Sequence, residues 1–504
     1  MITLINHQGL KLIKGIQIQT PSPSIGLAYI GAFLKQHAIQ YTAIDACGAA
    51  LDQIFPLEND SEIMVQGLTN KQILERIPKD TKIFGFTCLF SNAWPLVNHI
   101  ALGVRELFPE AIFIAGGEHP TALPDQVLNS GAFDAVVMGE GEETFLEMIN
   151  KIKNNEPWQD VDGICYLNNQ NHIIKNVARK RVRNIDNFPY PDWDEWSIEE
   201  YISHNQVTGI NLGRSIPILG SRGCPYACTF CSNEDMWTRQ YIMREGKSLA
   251  NEMEFMKNKY SLTGFSFMDS TFVVNRKKTL DFCNEVIKKD MNITYQIPAG
   301  TRCEAFDVEL AKKLEESGLK NLALAPESGS EMIREVTKKQ IKIDDFFRVV
   351  KIFQKVNITV GCFVVIGFPE DNISTLKESL AMIRKLAVLG VDDITVSKFT
   401  PYPGSPLFNQ FRENGVIDDK LEELADIISF YSSESKSYSE SLTSKQLHFW
   451  MIWMFLNFYV ITFVCRPMKV IKNFWDYFSK GVENARYMRF FTEIFVLRRK
   501  WEKS

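Results

Sequence analysis

Three cysteines stand at a spacing suited to metal chemistry: Cys224-Pro-Tyr-Ala-Cys228-Thr-Phe-Cys231, directly after a predicted strand and on a loop opened by Gly223. Thiolates at these intervals can cap three irons of a cubane cluster and leave the fourth iron without a protein ligand. An open metal position is where a substrate or cofactor coordinates. A zinc knuckle or a plain electron-transfer cluster is the alternative, and each needs a fourth ligand nearby. The next cysteines, Cys283 and Cys303, fall in a helix pattern and at a later strand end. With Cys47, Cys88, Cys165, Cys362 and Cys465 they read as small buried hydrophobes.

The elements that must hold this loop form the second of two α/β alternations. From Ile216 the strands IPILGSRG, GFSFMD, ITYQIPAGTR, NLALAPE, TVGCFVVIGF and DITVSKFTPY alternate with amphipathic helices such as Asp307 to Gly318. Six β/α units over 213–417 predict a partial (β/α)6 TIM-like barrel, with its site at the carboxyl ends of the strands. The first alternation, 1–150, has strands MITLINH, YTAIDA, KIFGFTCLF, AIFIAGG and AVVMGEG, with helices over Ile25 to His37 and Trp94 to Leu107. Five such units predict a flavodoxin-like (Rossmann-type) α/β domain that binds ligand beyond its strand ends. Residues 151–212, with the Pro189 to Asp194 cluster, read as a linker, and 418–504 as a helical C-terminal region. Within the latter, Gln446 to Cys465 lacks Asp, Glu, Lys and Arg, and reads as a buried lid helix, an interfacial helix or a membrane span.

The C-x3-C-x2-C spacing with Phe230 before the last cysteine resembles the radical S-adenosylmethionine (SAM) superfamily. The resemblance implies a [4Fe-4S] cluster on Cys224, Cys228 and Cys231, and SAM bound through its methionyl amine and carboxylate to the open iron. It also implies reductive cleavage of SAM to a 5′-deoxyadenosyl radical that abstracts hydrogen from unactivated carbon, chemistry no side chain supplies unaided. Three further segments match the family at strand ends: Phe267-Met268-Asp269-Ser270, Thr301-Arg302 and Ala325-Pro326-Glu327-Ser328-Gly329-Ser330. By resemblance Phe230, Asp269, Arg302, Glu327, Ser328 and Gly367 are SAM-binding residues, Glu327 and Arg302 through SAM's polar groups and Gly367 beside adenine. For Arg302 a structural salt bridge is the alternative. Glu370 replaces the glycine often found after Pro369.

At the front of the chain, Pro23 to Tyr29, Ile44-Asp45-Ala46, Gly116 to Thr121 and Gly139 to Thr144 resemble, in order, the cobalamin-binding domain joined to such barrels. The implied family is the cobalamin-dependent radical SAM group, which includes methyltransferases and the anaerobic magnesium-protoporphyrin monomethyl ester cyclase. Its implied cobalamin contacts are Ser24, Leu27, Gly116, Gly117, His119, Thr121, Gly139, Glu140, Gly141 and Glu142. The Asp-x-His-x-x-Gly motif that places a histidine on cobalt is absent, so the resemblance implies cobalamin with its own base detached and no protein ligand. His119 is then a turn histidine near the corrin or its tail.

Composition narrows the function classes. The chain has 504 residues, 45% hydrophobic and 23% charged, with a formal net charge of −5, which excludes disorder and disfavours a dedicated nucleic-acid binder. Sparse cysteines and an N-terminus without a signal-peptide core predict the cytoplasm, possible contact with the inner face of a membrane coming only from the apolar C-terminal run. The leading reading is methylation of an unactivated carbon: one SAM methylates cob(I)alamin, a second is cleaved at the cluster, and the substrate radical takes the methyl group. A radical cyclase or oxidase using the same cofactors is the runner-up. A transfer-RNA methylthiotransferase would need three further cluster cysteines and a basic RNA-binding domain. A cobalamin sensor or carrier would need neither the triplet nor Glu327. The expected partners are a small-molecule substrate of lipophilic character and a flavodoxin- or ferredoxin-type electron donor.

Overall fold

The computed structural model describes residues 1–12, 21–57, 60–206, 208–417 and 435–480. Its first sheet contains β1 (Ile2–Asn6), β2 (Thr42–Asp45), β3 (Ile83–Thr87), β4 (Ile112–Gly116), β5 (Ala135–Val137), β6 (Ile164–Leu167) and β7 (Ile173–Lys175), in the order β7-β6-β5-β4-β3-β1-β2. The first five strands are parallel. Their order, 2-1-3-4-5, is the flavodoxin-like one, with its switch point between β1 and β3. All five residues of β1 are buried, because helices cover both faces. On one side lie α1 (Ile25–Gln36) and, further along the chain, the helix Glu142–Lys153; on the other lies α2 (Trp94–Leu107), with Trp94, Val97, Ile100 and Val104 inward.

The expected boundary at 150 falls inside the helix Glu142–Lys153, which is labelled α3. Beyond it β6 pairs antiparallel with β5, and β7 with β6, so the first sheet runs to Lys175. The Asn168 to His172 turn joins two short apolar runs, with Asn171 left-handed at φ 59°, and the hairpin caps the edge that β5 would otherwise leave open. The rest of the expected linker is glued down: Trp193 and Trp196 are buried in a core shared by both domains, and Asp192 accepts from Tyr41 at 2.7 Å.

The second sheet holds β8 (Ser215–Ile218), β9 (Gly264–Phe267), β10 (Thr294–Thr301), β11 (Leu319–Glu327), β12 (Thr359–Ile366) and β13 (Asp393–Lys398). They are parallel and adjacent in chain order, the open six-stranded barrel that the alternation predicts. The register slips between Ile297 and Thr301 and between Leu324 and Glu327, at the two strand ends that carry Arg302 and Glu327. Such irregularities re-aim side chains beside sites.

The helices α4 (Ile373–Leu389), α5 (Ser444–Cys465) and α6 (Pro467–Lys480) close the far side. A capping box formed by Thr443 and Gln446 starts α5. Only Leu447, Met451, Met454, Phe458 and Thr462 of this helix are buried, one stripe laid along β13 and α4. Length and composition would let α5 cross a bilayer. The structure lays that stripe on the barrel and leaves the opposite side of the helix exposed.

Candidate active site

Gly223 has φ +85°, and a Cβ there would stand 2.4 Å from the Gln240 carbonyl oxygen, so glycine alone lets the chain turn into the cysteine loop. Within the loop the Cys231 N–H donates to the Cys228 carbonyl at 3.2 Å, and the Thr229 N–H to the Thr337 carbonyl at 3.0 Å. Cys224 and Cys228 are half-buried and Cys231 is exposed. Desolvation raises all three thiols, Cys231 to about 12. An accessible yet desolvated thiol faces a recess in the protein rather than open solvent. No three His, Cys, Asp or Glu side chains among the described residues form a cage for one ion.

Positive charge lines the recess. The Lys339 and Arg302 cations favour the thiolate of both Cys224 and Cys228. Lys339 is buried and donates to Glu327 at 2.9 Å. Glu327 itself is left-handed at φ +63°, as are Lys338 and Gln340 on either side of Lys339, at +53° and +49°. Three such residues at one place are strain of the kind that sites store. Arg302 does not reach Glu327: it donates to Glu304 at 2.8 Å and to the Lys339 carbonyl at 2.5 Å, and its guanidinium lies 3.8 Å over the ring of Tyr226. It therefore braces the cysteine loop. Lys339 belongs to none of the motifs read from the sequence.

The remaining SAM candidates divide. Phe230 packs on Phe368 at 5.4 Å between ring centroids, beside the recess. Asp269 is buried and pushed up to about 7 by desolvation. Its oxygens take the Gly220 N–H at 3.1 Å and the Ser221 hydroxyl, so it holds the strand end that leads into the cysteine loop. Ser328 faces away, toward Ser379 of α4 at 3.2 Å. Gly367 has φ +90°, and a Cβ there would stand 2.7 Å from Leu447 of α5. Its freedom is spent on the C-terminal helix as well as on the turn.

On the first domain, Gly116 and Gly117 end β4, and Gly139 follows β5. Thr121 ties the turns together, donating to the Gly117 carbonyl at 2.7 Å and accepting from the Gly139 N–H at 3.1 Å. A Cβ on Gly117 would stand 2.5 Å from the Cys88 carbonyl oxygen, whereas one on Gly116 would meet only the Val137 carbonyl oxygen, at 3.9 Å. Beside them the apolar run that predicted a longer β3 leaves the sheet: Leu89 and Phe90 are 46% and 58% exposed. Glycine turns flanked by exposed apolar side chains fit a broad, flat ring system such as a corrin. Ser24 occupies the N-cap of α1, and Leu27 is buried in the core beneath.

His119 lies behind this surface. It is 1% exposed, stacked on Trp94 at 4.8 Å between centroids, with Nδ1 3.0 Å from the Ser91 hydroxyl. Burial lowers its pKa to about 3. It supports the turn and does not present a face to a ligand.

Glu140 and Glu142, with Gly141 between them, are turned to the barrel. Arg222, two residues before Cys224, pairs with Glu142 at 2.5 Å and Glu140 at 3.2 Å, and Arg181 pairs with Glu140 at 3.3 Å. The Arg222 guanidinium sits 4.9 Å from the Phe188 ring. Glu118 meets Ser232, the residue after Cys231. These contacts hold the glycine turns of the first domain against the cysteine loop of the second, so the carboxyl ends of both sheets border one space.

Two known families match successive parts of the chain: the B12 binding domain over residues 13–149, and the Radical SAM superfamily over 218–383. The chain thus carries a B12 binding domain followed by a radical SAM domain, and the cofactors that these domains imply are a [4Fe-4S] cluster, SAM and cobalamin. The anaerobic magnesium-protoporphyrin IX monomethyl ester cyclase of Rubrivivax gelatinosus is 25% identical over 413 residues, 81% of this chain and 68% of that protein. The cytidylyl-2-hydroxyethylphosphonate methyltransferase of Streptomyces wedmorensis is 23% identical over 426 residues, 78% of each. Among solved structures, the radical SAM methyltransferase TsrM from Kitasatospora setae, with cobalamin and a [4Fe-4S] cluster, superposes with a TM-score of 0.64 at 16% identity, covering 82% of this chain and 78% of that one. At that identity the likeness shows the shared fold.

Proposed function

We propose that the protein is a cobalamin-dependent radical SAM methyltransferase that methylates an unactivated carbon of a small lipophilic substrate in the cytoplasm. One observation carries this: the glycine turns and the cysteine loop border one space, joined by Glu140, Glu142 and Arg222 and by Glu118 and Ser232. A methyl carrier and a radical generator must act on the same substrate atom, and that arrangement brings their sites together.

When bound, the cluster with SAM supplies a hydrogen-abstracting radical and cobalamin supplies the methyl group. The chain's own residues do the rest. Cys224, Cys228 and Cys231 hold the cluster. Lys339 and Arg302 favour the thiolates of Cys224 and Cys228, and Arg302 braces the loop through the Lys339 carbonyl and Tyr226. Glu327, held by Lys339, would take the amine of SAM, and Phe230, packed on Phe368, would line its adenosyl side. Gly116, Gly117, Thr121 and Gly139 would shape the surface that takes cobalamin, and Leu89 and Phe90 would keep water from its ring. A flavodoxin- or ferredoxin-type donor reduces the cluster.

A cyclase or oxidase reading has its own support, since three relatives that each align with about 80% of the chain bear the cyclase name. The deciding experiment feeds S-adenosyl-[methyl-²H₃]methionine to the reduced, cobalamin-loaded enzyme with an extract of cells lacking the gene. A methyltransferase places the labelled methyl in a new product and forms 5′-deoxyadenosine; Cys228→Ala loses both. An unlabelled product with less hydrogen or more oxygen establishes the cyclase or oxidase instead.

A further inference from the structure

The helix α6 is built inside out. Its exposed stripe is Met468, Ile471, Trp475 and Phe478, at 74%, 54%, 69% and 79% exposure, while the polar Asn473 and Asp476 are buried at 7% and 8%. A surface helix of a globular protein does the reverse. The spacing of three and four residues makes the stripe one continuous face. It continues an equally exposed stripe on α5 that runs from Phe449 through Leu456 to Val464, opposite the face packed on the barrel. Together they form an apolar strip far longer than the scattered exposed hydrophobics of an ordinary surface.

Charge selects the occupant. From Ser444 to Lys480 there are five Lys or Arg against one Asp or Glu, a formal charge of +4 in a chain whose total is −5. Lys445 and Lys472, at the rims of the two stripes, are exposed. Arg466 and Lys469 fasten the junction to the barrel, Arg466 donating to the Leu389 carbonyl at 2.8 Å and Lys469 pairing with Asp392. A second copy of the chain docked on this face would bring two such positive segments together. An anionic bilayer offers apolar depth for the stripe and headgroup charge for the lysines, with Trp453 and Trp475 suited to the interface between them.

We infer that α5 and α6 dock the enzyme on the surface of an anionic membrane, lying in the interface with their exposed stripe among the acyl chains. Docking also deepens the proposed function, and in this one respect rests on it. The first turn of α5 places Leu447 against Gly367 at the site-bearing end of β12, so a docked barrel opens next to the bilayer from which a lipophilic substrate would enter.

The test is flotation of the full chain with vesicles of phosphatidylcholine containing one third phosphatidylglycerol, at low salt. The expected result is at least about tenfold more protein with these vesicles than with phosphatidylcholine alone. Trp475→Glu/Phe478→Glu, and separately Met468→Glu/Ile471→Glu, should abolish flotation, and 5′-deoxyadenosine formation unchanged in solution shows that both variants are folded. Wild-type protein that stays at the bottom with anionic vesicles overturns the inference. So does flotation that neither variant reduces, or a lipid-free dimer that the variants convert to monomer. Because flotation needs no turnover, its outcome is independent of whether methyl transfer is the right chemistry.

Discussion

Replacing Arg222 with methionine should destabilise the junction between the two domains. The Arg222, Glu140 and Glu142 side chains are 5%, 9% and 8% exposed, so all three charges sit away from water. Removing one partner of a buried pair leaves the other uncompensated, a loss of about 3–5 kcal/mol. Glu140 keeps Arg181 at 3.3 Å, so most of the loss falls on Glu142, with a smaller part from the guanidinium over Phe188. The double variant Arg222→Met/Glu142→Leu removes the stranded charge and should recover all but about 1–2 kcal/mol, since apolar replacement of a buried pair is near neutral. The assay is urea unfolding of the cofactor-free protein, comparing the first transition seen by tryptophan fluorescence, because a two-domain chain need not unfold in one step. A single variant that loses less than about 1 kcal/mol, or a double variant no better than the single, would refute the reasoning.

Two further substitutions test other parts of the site. His119→Gln should leave the visible spectrum of bound cobalamin unchanged, since the imidazole is buried against Trp94, and a large spectral shift would make it a cobalt ligand after all. The same variant should flatten the acid sensitivity of the fold. Burial lowers the His119 pKa from 6.5 to about 3, so the unfolded chain binds a proton that the native one refuses, and stability falls as pH drops below 6.5. Between pH 7 and 5 this amounts to about 2 kcal/mol, which the urea midpoints at the two pH values should show in the wild type and lose in the variant. Gly367→Ala should cost about 2–4 kcal/mol, from left-handed strain at φ +90° and a Cβ 2.7 Å from Leu447. Adding Leu447→Ala relieves the steric part alone, and a thermally neutral Gly367→Ala would contradict the placement of α5.

The chemistry of this protein is local in sequence. The cysteine triplet lies within eight residues after a strand, and hydrophobic periodicity is enough to separate a five-unit flavodoxin-like sheet from a six-unit open barrel, because both signals depend on neighbours along the chain. Tertiary structure decided which candidate residues face the shared space. Gly139 and Glu140 are adjacent in one turn, yet Glu140 spans the domains to Arg181 and Arg222, partners 41 and 82 positions away. His119 and Ser328 share segments with candidate contacts but point into the core and toward α4, since a turn sends successive side chains in different directions. Lys339 becomes part of the site only because the chain after β11 folds back on the cysteine loop. The inverted polarity of α6 needs both kinds of information: its apolar spacing can be read from the sequence, but only the folded structure shows that the apolar side faces out, because periodicity gives a helix two faces without saying which one the protein covers.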